Sequence, residues 1–390
     1  MECAQCGSTY EMGHWGPCSC GGTLLVQYRF DQVSQGDLLE RGDLWRYLPL
    51  LPVPQRSVVS LGEGATPLRR LRGGGEVVPG AVTYIKDESL SPTATFKARG
   101  MTVAVSMARE LGHERLAVPS AGNAGVALAA YAAAAGLEAL VVAPQDTPAI
   151  LLREIMARGA KCLLVRGLLE EAGSCVEEAS KAGYTNLATL REPYRVEGKK
   201  TMGFEVWEQL GRVPDWIVFP TGGGTGVIGL WKAFGELGKL GWSDARMPRI
   251  CAVQSTGCPP LAEAWQTEAQ DVPSISDPRT VAVGLRVSKP AGLHLIMRAI
   301  RESRGLVIAV SEEDIPRAAS ELGIKEGIYP CYEGAVAYLG LQALAREGHI
   351  ERGDRVVLFN TGMGLINPGT EMPTIPTLET PREILSYLGD

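Results

Sequence analysis

From residue 81 onward the chain alternates short apolar runs with longer stretches in which apolar positions recur every three or four residues. The runs "AVTYIKDE", "RLAVPSA", "EALVVAP", "KCLLVRG", "YTNLAT", "WIVFPTGGG", "RICAVQS", "GLVIAVS" and "RVVLFNTGMG" are rich in β-branched residues and mostly stop at Gly, Pro, Ser or Thr. Each reads as a strand. Between most of them lie segments of 12–20 residues with helical spacing, among them "NAGVALAAYAAAAG" and "EGAVAYLGLQALAREG". A third such stretch, "ARGMTVAVSMARELG", directly follows Phe96 and Lys97. Strands alternating with helices predict a parallel sheet covered on both faces. Nine strands are many for one such sheet, so the pattern predicts two α/β lobes.

The ends break this rhythm. Residues 1–30 form a unit of their own, in which "CAQC" and "CSC" bracket a polar loop and "GGTLLVQYRF" alternates like a small strand. Cys3, Cys6, Cys18 and Cys20 have nearly the spacing of a zinc ribbon with two knuckles, the second one residue tighter than usual. Four thiolates would fill a tetrahedral site, so the zinc expected here is structural; His14 is an alternative fourth ligand and four reduced thiols the plain alternative. "DLWRYLPLLP" reads as a helix. Residues 371–390 lie in a proline-rich tail expected to pack as an extended arm, which leaves 31–370 as the core.

Composition narrows the class without naming a chemistry. The chain has 390 residues, 45% hydrophobic and 21% charged, within the ordinary globular range. A net charge of −6 argues against nucleic acid or an anionic membrane surface as partner. No run reaches the roughly 18 uninterrupted apolar residues of a membrane span. The start "MECAQCGSTY" lacks the layout of a signal peptide, and nine cysteines, an odd number, fit a reducing compartment. The expectation is a cytoplasmic protein.

Ligands of open α/β sheets sit beyond the carboxyl ends of the strands. That rule selects four segments. "PTGGGTG" ends a strand and opens a helix, and Gly222, Gly223, Gly224, Thr225 and Gly226 would offer bare N–H groups to a phosphate. It matches neither a P-loop nor a dinucleotide fingerprint, and a ligand-free tight turn is the alternative. "PSAGNAG" sets Asn123 at a strand-to-helix turn, where its amide could meet a ring oxygen and the N–H groups of Ser120, Ala121, Gly122 and Asn123 a carboxylate; Asn123 reads equally well as a helix N-cap. "NTGMG" puts the Thr361 hydroxyl at another strand end, available to a neutral ring nitrogen or to a turn. "SPTATFKARG" brings Lys97 to a helix start, where the dipole disfavours an ammonium. Either the lysine swings out or it does not remain an ammonium. Together the four describe a pyridoxal phosphate site, with Lys97 as the amine that attacks the aldehyde.

In order and spacing, "LGEGATPL" (61–68), "KDESLSPTATFKARG" (86–100), "SAGNAG" (120–125), "YRVEGKKTMGFEV" (194–206), "PTGGGTG" (220–226) and "NTGMG" (360–364) resemble the threonine synthase family of fold-type II pyridoxal phosphate enzymes. The likeness runs from about residue 58 to 368. It implies a two-lobed core like the β-subunit of tryptophan synthase, with the smaller lobe at roughly 95–200, and a homodimer. Lys97 would be the Schiff-base lysine and general base, and Phe96 would lie beside the cofactor. Asn123 would contact the ring 3-oxygen, Gly222 to Gly226 the phosphate, and Thr361 the ring nitrogen, without enforcing a charged pyridinium. Arg195, helped by Lys199 or Arg191, would bind the phosphate of a small phosphorylated amino acid, O-phosphohomoserine, at the cleft entrance; a surface salt bridge to Glu197 is the bland alternative. Three positions depart from the family pattern: Ala98 stands for an acidic residue, and Thr189 and Leu190 stand where Asn and Ser usually meet the substrate phosphate. They leave open β-elimination or β-replacement on serine, threonine or O-phosphoserine, including cysteate-synthase-like chemistry. A non-catalytic binding protein with a docking zinc head is the reading from another class.

Overall fold

The computed structural model describes residues 1–366 apart from 245, 270 and 273; the arm expected at 371–390 lies outside the described residues. A two-residue ladder joins β1 (Glu2–Cys3) to β2 (Leu24–Leu25). The chain continues through β3 (Leu68–Arg70), α1 (Gly74–Val77), β4 (Val82–Asp87) and α2 (Lys97–Glu110). Next come β5 (Arg115–Pro119), α3 (Asn123–Ala135), β6 (Glu138–Pro144), α4 (Ala149–Ala157), β7 (Lys161–Val165), α5 (Leu169–Lys181) and β8 (Thr185–Asn186). It then runs α6 (Tyr194–Leu210), β9 (Trp216–Pro220), α7 (Thr225–Lys239), β10 (Arg249–Ser255) and α8 (Pro260–Thr267). The last elements are α9 (Leu293–Glu302), β11 (Leu306–Val310), α10 (Ile315–Glu326), α11 (Tyr332–Arg346) and β12 (Arg355–Asn360).

The nine expected strands divide between two sheets. One has the order β11-β10-β9-β12-β4-β3, the other β7-β6-β5-β8. All pairings in them are parallel except β3 with β4. Interior strands such as β9 are buried throughout, as strands covered on both faces must be. The pattern missed β3, whose "LRR" carries two exposed arginines; an edge strand pairs on one side only and tolerates charge there. "DLWRYLPLLP" also departs from expectation. It forms 3₁₀ turns over Leu44–Leu50, because Pro49 supplies no N–H, yet Leu44, Trp45, Tyr47 and Leu50 are buried. No described helix is long and apolar enough to cross a membrane.

Two features aim the site. Helices α2 and α6 cross so closely that a Cβ on Gly198 would stand 1.7 Å from the carbonyl oxygen of Arg99. Below that crossing Arg99 is wholly buried between Glu88, at 2.7 Å from Nε, and Glu205, at 2.6 Å from Nη1. Lys86 joins Glu205 at 2.7 Å. Charges removed from water need such partners, so this cluster locks the start of α2 to β4 and α6.

Candidate active site

A cleft of about 270 Å³ opens beyond the carboxyl ends of both sheets. Lys97, Asn123, the 222–226 glycine loop, Thr361 and Arg195 all line it, although they come from widely separated parts of the chain. Phe96, Ser120, Ala121 and Gly122 line it as well.

Lys97 is the first residue of α2. Its turn is held from outside: Phe96 N–H donates to the Thr361 carbonyl at 3.0 Å, and Met363 N–H to that of Ala94 at 3.0 Å. Ala94 has φ +54°, a conformation costly for a residue with a Cβ. Burial lowers the Lys97 amine to about 8; the Arg195 charge adds to this and Glu333 opposes it. At pH 7 about a tenth of Lys97 is therefore the neutral, nucleophilic amine, far more than of an ordinary lysine. Its Nζ lies 4.6 Å from the centroid of the Phe96 ring, and Phe96 packs edge-on against Phe219.

The loop after β9 enters α7 through Gly224, at φ +78°. Among the described residues, no protein acceptor meets the N–H groups of Gly222, Gly223, Gly224, Thr225 or Gly226. Five bare N–H groups at a helix N-terminus form a cradle for a phosphate dianion. On the opposite wall, Asn123 begins α3 and its amide makes no hydrogen bond among the described residues. It is thus not an N-cap. The expectation of four free N–H groups from Ser120 to Asn123 needs correction: Ser120 N–H donates to the Val142 carbonyl and Gly122 N–H to Ser120 Oγ. Ala121 and Asn123 N–H remain without a described acceptor. The Ser120 oxygen also takes the Gly125 N–H at 2.9 Å, closing the turn.

Arg195 lines the cleft but is buried, not at an exposed entrance. Its Nη1 donates to the Leu187 carbonyl at 2.8 Å, and Nε has no partner among the described residues. No salt bridge joins it to Glu197, which pairs with Lys200 and Lys232. The expected helpers are absent as well. Arg191 pairs with Glu177 at the surface. Lys199 is buried under Phe96, donates to its carbonyl at 3.2 Å, and is driven well below an ordinary lysine by burial and by Lys97 and Arg195. Of the departures, Thr189 lines the cleft, Leu190 packs towards Gly292, and Ala98 is enclosed in the core, where an unpaired carboxylate would be costly.

Sequence reasoning passed over three groups. Glu333 lines the cleft and accepts the Gly284 N–H at 2.7 Å. Cys331, also in the cleft, lies 3.6 Å from Thr361 Oγ1. Glu192 lies behind Arg195, with Oε2 accepting the N–H groups of Tyr194 and Arg195. Only the position of Cys331 and Glu333 at a predicted helix start could have signalled them.

The N-terminal thiols meet outside the cleft, whose lining includes none of them. The sulfurs of Cys3, Cys6, Cys18 and Cys20 all lie within 4.8 Å of one another, with 3.6 Å between Cys3 and Cys20 and 3.5 Å between Cys6 and Cys18. Tetrahedral zinc with ~2.3 Å bonds needs sulfurs about 3.8 Å apart, so the four fit a metal. The Tyr10 hydroxyl donates to Cys18 Sγ at 3.3 Å and, with the Cys20 backbone, lowers that thiol from its ordinary value. His14 is not in this group; its Nε2 lies 3.4 Å from the Pro17 carbonyl.

A partly neutral lysine, a bare-amide phosphate cradle and polar groups on the facing walls of a two-sheet α/β cleft define a pyridoxal phosphate site. The comparisons agree: residues 59–362 match the model of the pyridoxal-phosphate dependent enzyme family, and the chain belongs to that family. Similar curated proteins include the threonine synthase of Methanocaldococcus jannaschii, 36% identical over 377 residues, covering 94% of this chain and 93% of that one. The threonine synthase of Methanosarcina acetivorans is 34% identical, covering 96% and 95%. Among solved structures, maize serine racemase superposes with a TM-score of 0.66 at 20% identity, covering 76% of this chain and 88% of that one. Threonine deaminase isoform 2 of Solanum lycopersicum gives 0.66 at 21%, covering 85% and 94%. These structures establish the fold-type II architecture.

Proposed function

We propose that this chain is a threonine synthase, converting O-phosphohomoserine and water to L-threonine and phosphate. The observation that carries the reading is the presence of two separate anion sites in one cleft, the amide cradle at Gly222–Gly226 and the Arg195 guanidinium. The likeness to threonine synthases over nearly the whole chain supports it. When bound, pyridoxal phosphate supplies the electron sink for negative charge at the substrate's α-carbon. The protein does the rest. Gly222 to Gly226 hold the cofactor phosphate, Asn123 the ring oxygen and Thr361 the ring nitrogen, with Phe96 alongside. Lys97 Nζ holds the cofactor, then takes the α-proton and returns protons along the chain. Ala121 and Asn123 N–H bind the substrate carboxylate beside Ser120 and Gly122. Arg195 takes the phosphate as it leaves the γ-carbon, and water adds at the β-carbon.

The same reading includes structural zinc on Cys3, Cys6, Cys18 and Cys20, a homodimer, and a cytoplasmic setting. It divides the chain into a head (1–30), a core (31–370) with a smaller lobe at roughly 95–200, and an arm (371–390). The lobe is supported by the extent of β5 to β8. One observation favours a second reading, β-elimination or β-replacement on a smaller substrate: with Leu190 turned aside and Arg191 and Lys199 engaged elsewhere, Arg195 has little help with a phosphate. Purified holoprotein offered O-phosphohomoserine, O-phosphoserine, threonine and serine separates the two. Threonine and phosphate in equal amounts from the first, with Arg195→Ala raising KM, are expected. Phosphate with 2-oxobutyrate alone, or turnover only of the others, would overturn the proposal.

A further inference from the structure

Trp15 reaches from the loop between the two cysteine pairs to the elements that hold Arg195. Its Nε1 donates to the carbonyl of Asn186, the last residue of β8, at 3.1 Å. Its ring centroid lies 5.2 Å from that of Tyr194, the residue that opens α6. The Tyr194 hydroxyl donates to the His14 carbonyl at 3.2 Å, so the same loop grips this helix start twice. An indole N–H only donates and a backbone carbonyl only accepts, so the direction of both bonds is fixed.

Arg195 hangs between the same two elements. Its backbone follows Tyr194 in the first turn of α6, and its Nη1 donates at 2.8 Å to the carbonyl of Leu187, the residue after Asn186. Leu187 N–H is held in turn by the Ala117 carbonyl at 2.8 Å. Strand β8 has only two residues and lies at the sheet edge, paired with β5 alone. So short a strand has few ladder bonds of its own, and the indole adds one from outside the sheet. Tyr194 and Leu187 are wholly buried, and Trp15 packs against the apolar cluster that contains both. Helix α2 closes in as well: a Cβ on Gly100 would stand 3.0 Å from the Arg195 carbonyl oxygen. The guanidinium therefore moves with β8 and the start of α6.

We propose that Trp15 is a positioning residue for the substrate's phosphate: by clamping Asn186 and Tyr194 together it fixes the Arg195 guanidinium, so that the cysteine-rich segment completes an anion site that it does not line. The inference rests on the reading of Arg195 as the holder of the leaving phosphate. A long side chain already held in one orientation loses less freedom when the anion arrives, and the anion binds more tightly for it.

The test titrates holoprotein with inorganic phosphate in a calorimeter, with cofactor content measured alongside. The cofactor fills the amide cradle, which leaves Arg195 to bind the added anion. Arg195→Ala should abolish the signal. Trp15→Ala should weaken phosphate binding severalfold and raise KM for O-phosphohomoserine by a like factor, with cofactor content as in the parent. Trp15→Phe keeps a ring on Tyr194 and loses the bond to Asn186. It should fall between the parent and Trp15→Ala, and it carries the comparison if Trp15→Ala does not fold. Affinity for L-threonine, which has no phosphate and is read from the cofactor's visible spectrum, should be unchanged. Parent-like phosphate affinity in the folded Trp15 variants overturns the inference, whatever their thermal midpoints. So does an equal loss of phosphate and L-threonine binding, which would make Trp15 a general support of the cleft. A parent that binds no phosphate, or an Arg195→Ala variant that binds it as the parent does, removes the reading of Arg195 and the inference with it.

Discussion

Glu192 shows how one buried acid behind the cleft ties stability to pH. Burial pushes it from 4.5 up to about 7, against the charge of Arg195 and the N–H groups that it accepts, while Glu197 pushes the same way as burial. An acid that holds its proton more tightly when folded than when unfolded costs stability as pH rises through that window. The cost is absent below about 4.5 and complete above about 7. At ~1.4 kcal/mol per tenfold change in proton affinity it reaches ~3 kcal/mol. Glu192→Gln imitates the protonated form and keeps an acceptor for Tyr194 and Arg195. We expect the variant to be more stable than the parent at pH 8 by up to ~3 kcal/mol, and equal to it near pH 4. Denaturant unfolding at the two values measures this; equal stability at pH 8 would mean that the carboxylate is ionised at little cost.

At the scale of elements, the cysteine head is docked as well as folded. Trp15 Nε1 donates to the Asn186 carbonyl at 3.1 Å, the Tyr194 hydroxyl donates to that of His14 at 3.2 Å, and the Trp15 ring packs on His113 and Tyr194. A two-residue ladder cannot hold residues 1–30 without a further constraint, and metal binding to such a segment is folding free energy. Chelation should therefore lower the thermal midpoint by at least ~3 °C, roughly the effect of 1 kcal/mol in a larger domain. Cofactor content should be unchanged, because the cradle and Lys97 lie on other elements. Loss of visible absorbance in step with metal loss would show the head to be coupled to the cleft.

Across the whole molecule, the cleft is bridged at its mouth. Arg286 meets Asp146 through two hydrogen bonds of 2.6 and 2.9 Å, and Glu170 accepts the Ser288 hydroxyl. Asp146 and Glu170 belong to the four-stranded side, Arg286 and Ser288 to the loop before α9. Asp146 is half exposed, so the pair adds little stability, about 1 kcal/mol or less. We expect it to act on closure of the cleft. Asp146→Asn should leave the thermal midpoint within a few degrees while raising KM severalfold, as changes in closing elements do. Unchanged kinetics would make the pair a surface contact without consequence.

Much of this was legible in the linear order of residues. Strands buried on both faces announce themselves as apolar runs, and ligand-facing turns are built from small residues at their ends, so Lys97, Asn123, Gly222–Gly226 and Thr361 could be singled out locally. Which groups stand behind them could not. Asn360 meets Asp87 through the pairing of β12 with β4, Arg99 meets Glu205 where α2 crosses α6, and Cys331 meets Thr361 across α11 and β12, all contacts between elements that local pattern cannot bring together. The charges of "YRVEGKK" read as an entrance, yet α6 is packed between α2, which covers Arg195 and Lys199, and α7, which covers Lys200. Local pattern determined the elements and the residues at their tips, because backbone periodicity and turn sterics act over a few neighbours. Burial, pairing and proton affinity were decided by tertiary structure, because they depend on which distant groups exclude water from a side chain.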